Sequence, residues 1–251
     1  MSAGKIGRRG LIGSALGALV AGCTKIGHSD AGASLLGAVE DWNLGIQRAL
    51  SNRTALAREF SVADISPTFR GNGSTNPTTL AYLGHVANQF ADWTLAVDGL
   101  VERPLALSLA QLKALPQRTQ ITRHDCVEGW SAIGQWTGVP LATLLRDAGM
   151  RPEAKFIVFH CADVLSGAKY YESIDLIDAL HPQTIVAHAL NGEPLPVKNG
   201  APLRMRIERQ LGYKQAKYVE RIEAVASLAG IAGGKGGYWE DRSGYQWYAG
   251  I

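Results

Sequence analysis

Between Trp93 and Val225 the apolar residues come in short runs, each closed by a turn signal. That punctuation restricts the chain to a fold of short strands and short helices. Trp93-Thr94-Leu95-Ala96-Val97 reads as a strand, and Asp98-Gly99 is a hairpin signal with Leu100-Val101 returning. Ser108 with Gln111 forms a capping box for a short helix through Leu115. Ile121 leads as a strand into a loop at Cys126. Pro140 opens a helix whose Leu141, Leu144, Leu145 and Ala148 share one face, and Gly149 closes it. Lys155 to Cys161 reads as a buried strand, Asn191-Gly192 as a turn, and Leu203 to Ile207 alternates like a half-buried strand. Tyr218 to Val225 fits helix and strand equally. Upstream, Leu35, Leu36, Val39, Trp42, Ile46 and Leu50 recur at helical spacing, and Asp64 to Pro77 reads as loop. The mixture predicts a single α+β domain over 34–251.

The first residues read as an address. Arg8-Arg9 precede a weakly apolar, glycine-containing stretch from Leu11 to Val20, closed by Ala21-Gly22 before Cys23. The stretch is shorter than the roughly 20 residues a membrane span needs. Paired arginines before such a core resemble a twin-arginine export signal over 1–22, with a tether over 23–33. Val20-Ala21-Gly22-Cys23 also resembles a lipobox, which makes Cys23 a candidate for acylation. The expected location is the periplasm. Lys5, Arg8 and Arg9 all lie in the signal, which has no acidic residue. Without them the net charge falls from +3 to zero, and the basic balance gives no argument for nucleic acid.

Of the 3 cysteines, Cys126 stands between charged residues in Arg123-His124-Asp125-Cys126-Val127-Glu128-Gly129-Trp130-Ser131. A thiol in that setting reads as a metal ligand or a nucleophile. A disulfide with Cys161, or a buried structural role, is the plainer alternative. Two further segments carry a glycine-bearing turn with a cation: Lys198-Asn199-Gly200-Ala201-Pro202-Leu203-Arg204 and Gly212-Tyr213-Lys214-Gln215-Ala216-Lys217. Exposed turn amides, a guanidinium and an ammonium make an anion cradle suited to phosphate, and a nearby cysteine adds a soft metal ligand. The chain has no Gly-x-Gly-x-x-Gly after a strand, no P-loop and no Cys-x-x-Cys.

These residues, with Trp136-Thr137-Gly138-Val139-Pro140-Leu141, resemble the sulfite-oxidase-like family of molybdopterin oxidoreductases, and within it the periplasmic methionine-sulfoxide reductase branch. The resemblance runs from about Thr68 to Ala224. It implies a sulfite-oxidase-type molybdopterin-binding domain and a Mo-molybdopterin cofactor, with Cys126 as the molybdenum ligand. It implies that Asn199, Arg204, Gln215, Ala216 and Lys217 hold the pterin and its phosphate. Asn72 and Gly73 join them through Phe69-Arg70-Gly71-Asn72-Gly73. The family's position on the strand after the helix, usually threonine or aspartate, falls on Cys161.

The implied chemistry is oxygen-atom transfer on a small sulfur-containing substrate such as a sulfoxide. Electrons would be exchanged through a separate protein, a membrane-bound haem protein or a cytochrome c. Sulfite oxidases carry an arginine just after their cysteine, whereas here Glu128 stands in that place as a second candidate catalytic residue. Its charge would repel sulfite, which leaves sulfite oxidase or dehydrogenase as the alternative. The chain ends where animal and plant sulfite oxidases continue into a dimerisation domain, so a monomer is expected. A cysteine hydrolase using His124 or His160 lacks triad or oxyanion-hole spacing. A lipid-tethered binding protein that keeps the fold without the chemistry is the alternative of another class.

Plainer roles are expected elsewhere. His124 reads as a surface or capping histidine, and His160 and His188 as satisfied core histidines. Arg206 and Arg209 read as solvent-facing. Glu128 either tunes the site or pairs with an arginine. Trp130 and Trp136 either wall a metal funnel or pack the core, and Tyr238, Trp239, Tyr245 and Trp247 read as a covering layer.

Overall fold

The computed structural model describes Ser29, Ser34, Ala38, Val39, Trp42, Gly45, Ile46 and residues 52–251. The chain divides into two units, Met1–Arg53 and Thr54–Ile251. In the first, the described positions from Ser34 to Ile46 are helical, as their spacing predicts, and Val39 and Trp42 are exposed. The expected export signal over 1–22 and most of the expected tether over 23–33 lie outside the described residues.

The second unit is built from two sheets. In chain order its elements begin with α1 (Leu80–Ala87), β1 (Thr94–Gly99), β2 (Leu105–Ser108), α2 (Leu109–Ala114), β3 (Arg118–Cys126), β4 (Trp130–Pro140) and α3 (Leu141–Ala148). They continue with β5 (Phe156–Leu165), β6 (Ala168–Asp175), α4 (Leu176–Ala179), β7 (Ile185–Leu190), β8 (Glu193–Pro194), β9 (Arg204–Arg206), β10 (Val219–Val225) and α5 (Tyr238–Ser243). One sheet runs β2-β1-β10-β5-β6; the other runs β3-β4-β7-β8, with β9 on β7. This is the α+β class the punctuation predicts.

Local chemistry sets several boundaries. Ser108 and Gln111 form the expected reciprocal capping box. The left-handed Gly149, φ +69°, closes α3, whose Leu141, Leu144, Leu145 and Ala148 are all buried. Asp98-Gly99 does not form a two-residue hairpin. β1 pairs antiparallel with β2, but Val97 faces Leu105, and the chain turns through 100–104. Asp98 and Gly99 instead continue β1 in parallel register against Glu223 and Ala224 of β10. A Cβ on Gly99 would lie 2.3 Å from the Ala224 carbonyl oxygen.

The ambiguous Tyr218–Val225 stretch is a central strand from Val219 on, with Tyr218 in a left-handed bend before it. Its register with β5 shifts between Val219 and Arg221, so the buried positions Val219, Ile222 and Ala224 do not alternate strictly. β9 is buried on both faces rather than half-buried. Leu203, Met205 and Ile207 join the main core with Leu144, Phe159 and Ile222, while the arginines between them lie over Trp136.

Candidate functional site

β3 and β4 pair without a break from Arg118 opposite Gly138 to Cys126 opposite Trp130. Cys126 is therefore the last residue of its strand, and Val127-Glu128-Gly129 make the turn. Gly129 supplies the left-handed conformation, φ +83°, and its N–H donates to the Cys126 carbonyl at 3.0 Å. The thiol is buried, and burial pushes its pKa up. The Glu128 backbone, an Asn72 side-chain hydrogen bond and the charge on Arg204 act in the opposite direction. Cys126 and Cys161 are both free, so no disulfide joins them.

Arg204 and Lys217 face each other across an antiparallel bridge. Like charges directly opposite repel, so the backbone pairing holds an arrangement the side chains disfavour. Arg204 is wholly buried. Its Nη1 donates to the Asn199 carbonyl at 3.1 Å, while Nε and Nη2 have no partner. Burial, then the charge on Arg206, pulls its pKa down to about 9. Lys217 donates to the carbonyls of Asn72 at 2.5 Å and of Ser74. Burial, then Arg204, pulls it down to about 7. Between them stands Gly200, φ +107°, where a Cβ would lie 2.9 Å from the Lys217 side chain and 3.1 Å from that of Arg204. Asn199 Nδ2 donates to the Arg70 carbonyl at 3.2 Å, which ties this turn to the Asn72-Gly73 segment.

A cavity with about 660 Å³ of atom-free space, part of it open to solvent, collects much of this set. Asn72, Gly73, Cys126, Glu128, Gln215 and Lys217 line it, so the Cys126 loop meets the 212–217 segment and Asn72-Gly73 there, whereas no residue of 198–204 is in its lining. Asn199 and Arg204 sit behind Lys217, and Ala216 is buried, its carbonyl accepting from Met205 N–H at 2.7 Å. Cys161 is placed differently. It is fully buried in the main core, its Sγ 4.0 Å from the Phe159 carbonyl, and does not line the cavity.

Two residues further on, Asp163 does line it. The register slips between His160 and Val164, so counting along the strand misses this carboxylate. Burial raises its pKa to about 6 against the opposing pull of Lys217. Tyr170, Tyr213, Trp239 and Tyr245 also line the cavity.

The plainer expectations are corrected at several positions. Arg206 is fully buried: it pairs with Glu208 at 2.6 Å and donates from Nη1 to His124 Nδ1 at 3.0 Å. His124 is likewise buried, not a surface residue. With Nδ1 accepting from Arg206, the ring proton is on Nε2, which has no partner. Burial and the two arginines hold its pKa well below the ordinary value. Trp136 packs the core beneath Arg206 and Arg204, 4.4 and 5.1 Å from its ring. Among the described residues Glu128 pairs with no arginine; it accepts from the Trp130 indole at 2.9 Å. His160 and His188 are satisfied, by Glu223 and Gln117, but are only half-buried.

The site fits a large anionic group that brings its own metal. Buried Arg204 Nε and Nη2 lack acceptors, which an anion would supply, while Asn72 Oδ1 and Gln215 Oε1 lack donors, which an organic part of the same group would supply. Unsatisfied buried polar atoms of this kind are costly without a ligand to meet them. Among the described residues no cluster of three or more His, Cys, Asp or Glu could hold a metal. Cys126 can supply one soft ligand to a metal whose other ligands come from an organic group.

This chain belongs to the oxidoreductase molybdopterin-binding domain family, whose model matches residues 83–229. It is thus a molybdopterin-binding oxidoreductase domain of the sulfite-oxidase-like kind. It is 46% identical over 160 residues to an Azospira oryzae protein named as a protein-methionine-sulfoxide reductase subunit, YedZ1, covering 64% of this chain and 56% of that one. It is 37% identical over 168 residues to the protein-methionine-sulfoxide reductase catalytic subunit MsrP of Gluconobacter oxydans, covering 62% and 53%. Among solved structures it resembles the sulfane dehydrogenase SoxCD of Paracoccus pantotrophus. There the TM-score is 0.50 at 26% identity, over 55% of this chain and 39% of that one. The chain spans about half the length of the curated relatives it matches.

Proposed function

We propose that this chain is the catalytic part of an exported molybdenum enzyme. It would transfer an oxygen atom to or from a small sulfur-containing substrate such as a sulfoxide, exchanging electrons with a separate redox protein. The relatives' names support the substrate class. The paired arginines at Arg8-Arg9 and the lipobox-like Val20-Ala21-Gly22-Cys23 support export to the periplasm and a lipid anchor at Cys23.

In this reading Cys126 is the protein's ligand to molybdenum, and the bound cofactor supplies two-electron oxygen-atom chemistry at the metal. Arg204 grips phosphate oxygens with the guanidinium nitrogens that lack a partner, and Lys217 adds an ammonium. Asn72, Gly73, Asn199, Gln215 and Ala216 supply the remaining polar lining and backbone. Cys161 shapes the wall behind it from within the core. Glu128, exposed at the cavity rim, faces the substrate's approach.

The observation that carries the reading is the cross-strand pair of Arg204 and Lys217 beside the Cys126 cavity. Lys217 has backbone carbonyls and the Asp163 carboxylate near it, but two guanidinium nitrogens of the buried Arg204 lack any acceptor, and a bound polyanion would supply one. The exposed Glu128 disfavours sulfite oxidation, since its charge meets an incoming oxyanion.

Metal analysis of protein made in a host that synthesises the cofactor tests the proposal. We expect close to one molybdenum per chain and a Mo(V) resonance that disappears in Cys126→Ala. Less than a tenth of an equivalent in the parent protein overturns it.

A further inference from the structure

The cavity that holds Cys126 has a graded lining. Cys126, Asp163, Gln215 and Lys217 are buried, whereas Val127 and Glu128 are exposed and Trp239 and Tyr245 half-buried. The last four mark the mouth. Trp239 and Tyr245 are stacked, ring centroids 5.8 Å apart at 25°, and Tyr245 meets Tyr213 edge-on at 5.0 Å. Both stacked rings come from the segment after 229, beyond the residues that the family model matches.

The segment is held firmly. Glu240, beside Trp239, pairs with buried Lys214 at 2.6 Å. Asp241 accepts from the N–H of Gly233 at 2.9 Å and of Lys235 at 3.0 Å. Tyr238 donates to the Leu165 carbonyl at 2.8 Å, and Trp247 donates to Ser173 Oγ at 2.8 Å. A wall fixed in this way can select, because its rings lose little freedom when a ligand docks.

We propose that Trp239 and Tyr245 form a substrate-selecting wall that accepts a neutral alkyl or aryl sulfur group and turns away small oxyanions. Aromatic faces carry negative charge density and favour methyl groups and polarisable sulfur. The Glu128 carboxylate on the same rim adds a full negative charge. An oxyanion entering here meets repulsion from both, whereas a sulfoxide presents its carbon substituents to the rings. The inference rests on the proposed function for the reaction, but the binding preference is measurable without turnover.

The experiment is a ligand-observed NMR titration of the molybdenum-loaded protein with methyl phenyl sulfoxide, with sulfate as competitor and molybdenum content measured on each sample. In the parent protein the sulfoxide should bind, and a tenfold excess of sulfate should not displace it. Trp239→Ala should weaken binding at least tenfold with molybdenum content unchanged, and Trp239→Phe should stay within threefold of the parent. Tyr245→Leu, at the other ring of the stack, should weaken binding in the same direction. Under turnover the Trp239→Ala effect should fall on KM more than on kcat. Sulfoxide affinities of Trp239→Ala and Tyr245→Leu within twofold of the parent, in protein that keeps its molybdenum, would overturn the proposal. If the parent carries no molybdenum yet Trp239→Ala still loses the sulfoxide, the wall stands and the cofactor reading falls.

Discussion

Arg204 and Lys217 are neighbours across a bridge, and the cost of placing them so is visible in both. Arg204 leaves two buried nitrogens unpaired, and each such donor costs about 1–3 kcal/mol. Replacing it with methionine should therefore raise the stability of cofactor-free protein by about 1–3 kcal/mol while removing pterin from purified protein. Chemical denaturation and the fluorescence of released, oxidised pterin check the two halves. Lys217 and Asp163 carry opposite pH signatures. The folded state gives up the Lys217 proton near pH 7, but the unfolded chain holds it to 10.5, so stability rises between those values. Asp163 keeps its proton to about 6 when folded but loses it at 3.8 when unfolded, so stability falls across that window. Cofactor-free protein should thus show a stability minimum near pH 6–7, and the Lys217→Met, Asp163→Asn double variant should flatten it. The cations were legible in the sequence because each follows a glycine-bearing turn. Asp163 was not, because a bulge rather than strand alternation turns it into the cavity. Nor was the burial of Arg206 and His124, whose partners lie 82 positions apart.

Strand-level features separate close packing from turn chemistry. Gly138 lies where β4 slips register against β7, and a Cβ there would stand 2.2 Å from the Val186 carbonyl oxygen and 2.5 Å from the Ala187 Cα. Both are backbone atoms of the adjoining strand, so neither can rotate aside. Gly138→Ala should cost about 3 kcal/mol, the upper end for overpacking. Gly129→Ala meets nothing within 4 Å and suffers only the left-handed backbone, at about 1 kcal/mol. Urea denaturation of the two variants should give that order. The Cys126 turn and the α3 cap were readable in advance because their signals are local. The Asp98-Gly99 turn was misplaced because a parallel partner more than a hundred residues away overrides a local hairpin preference.

At the scale of the whole domain, the C-terminal segment is secured by Lys214 between Glu172 and Glu240, all three buried. Removing one partner from such a cluster leaves uncompensated charge and costs about 3–5 kcal/mol. Lys214→Met should loosen 226–251 before the rest, seen as early proteolytic cleavage there while the sheets remain protected. The sequence marked these aromatics only as a covering layer, because nothing local says that the segment folds back beside Cys126.

The placement of β10 also has a consequence for how the protein is made. It runs between β1 and β5 at the middle of its sheet, yet among the described residues it is the last strand in chain order. Until Val219–Val225 emerges, the sheet is two separate halves with raw edges, and pairings this distant form slowly. A chain without β10 cannot complete this interior, so closure of the site around a prosthetic group follows the docking of that strand.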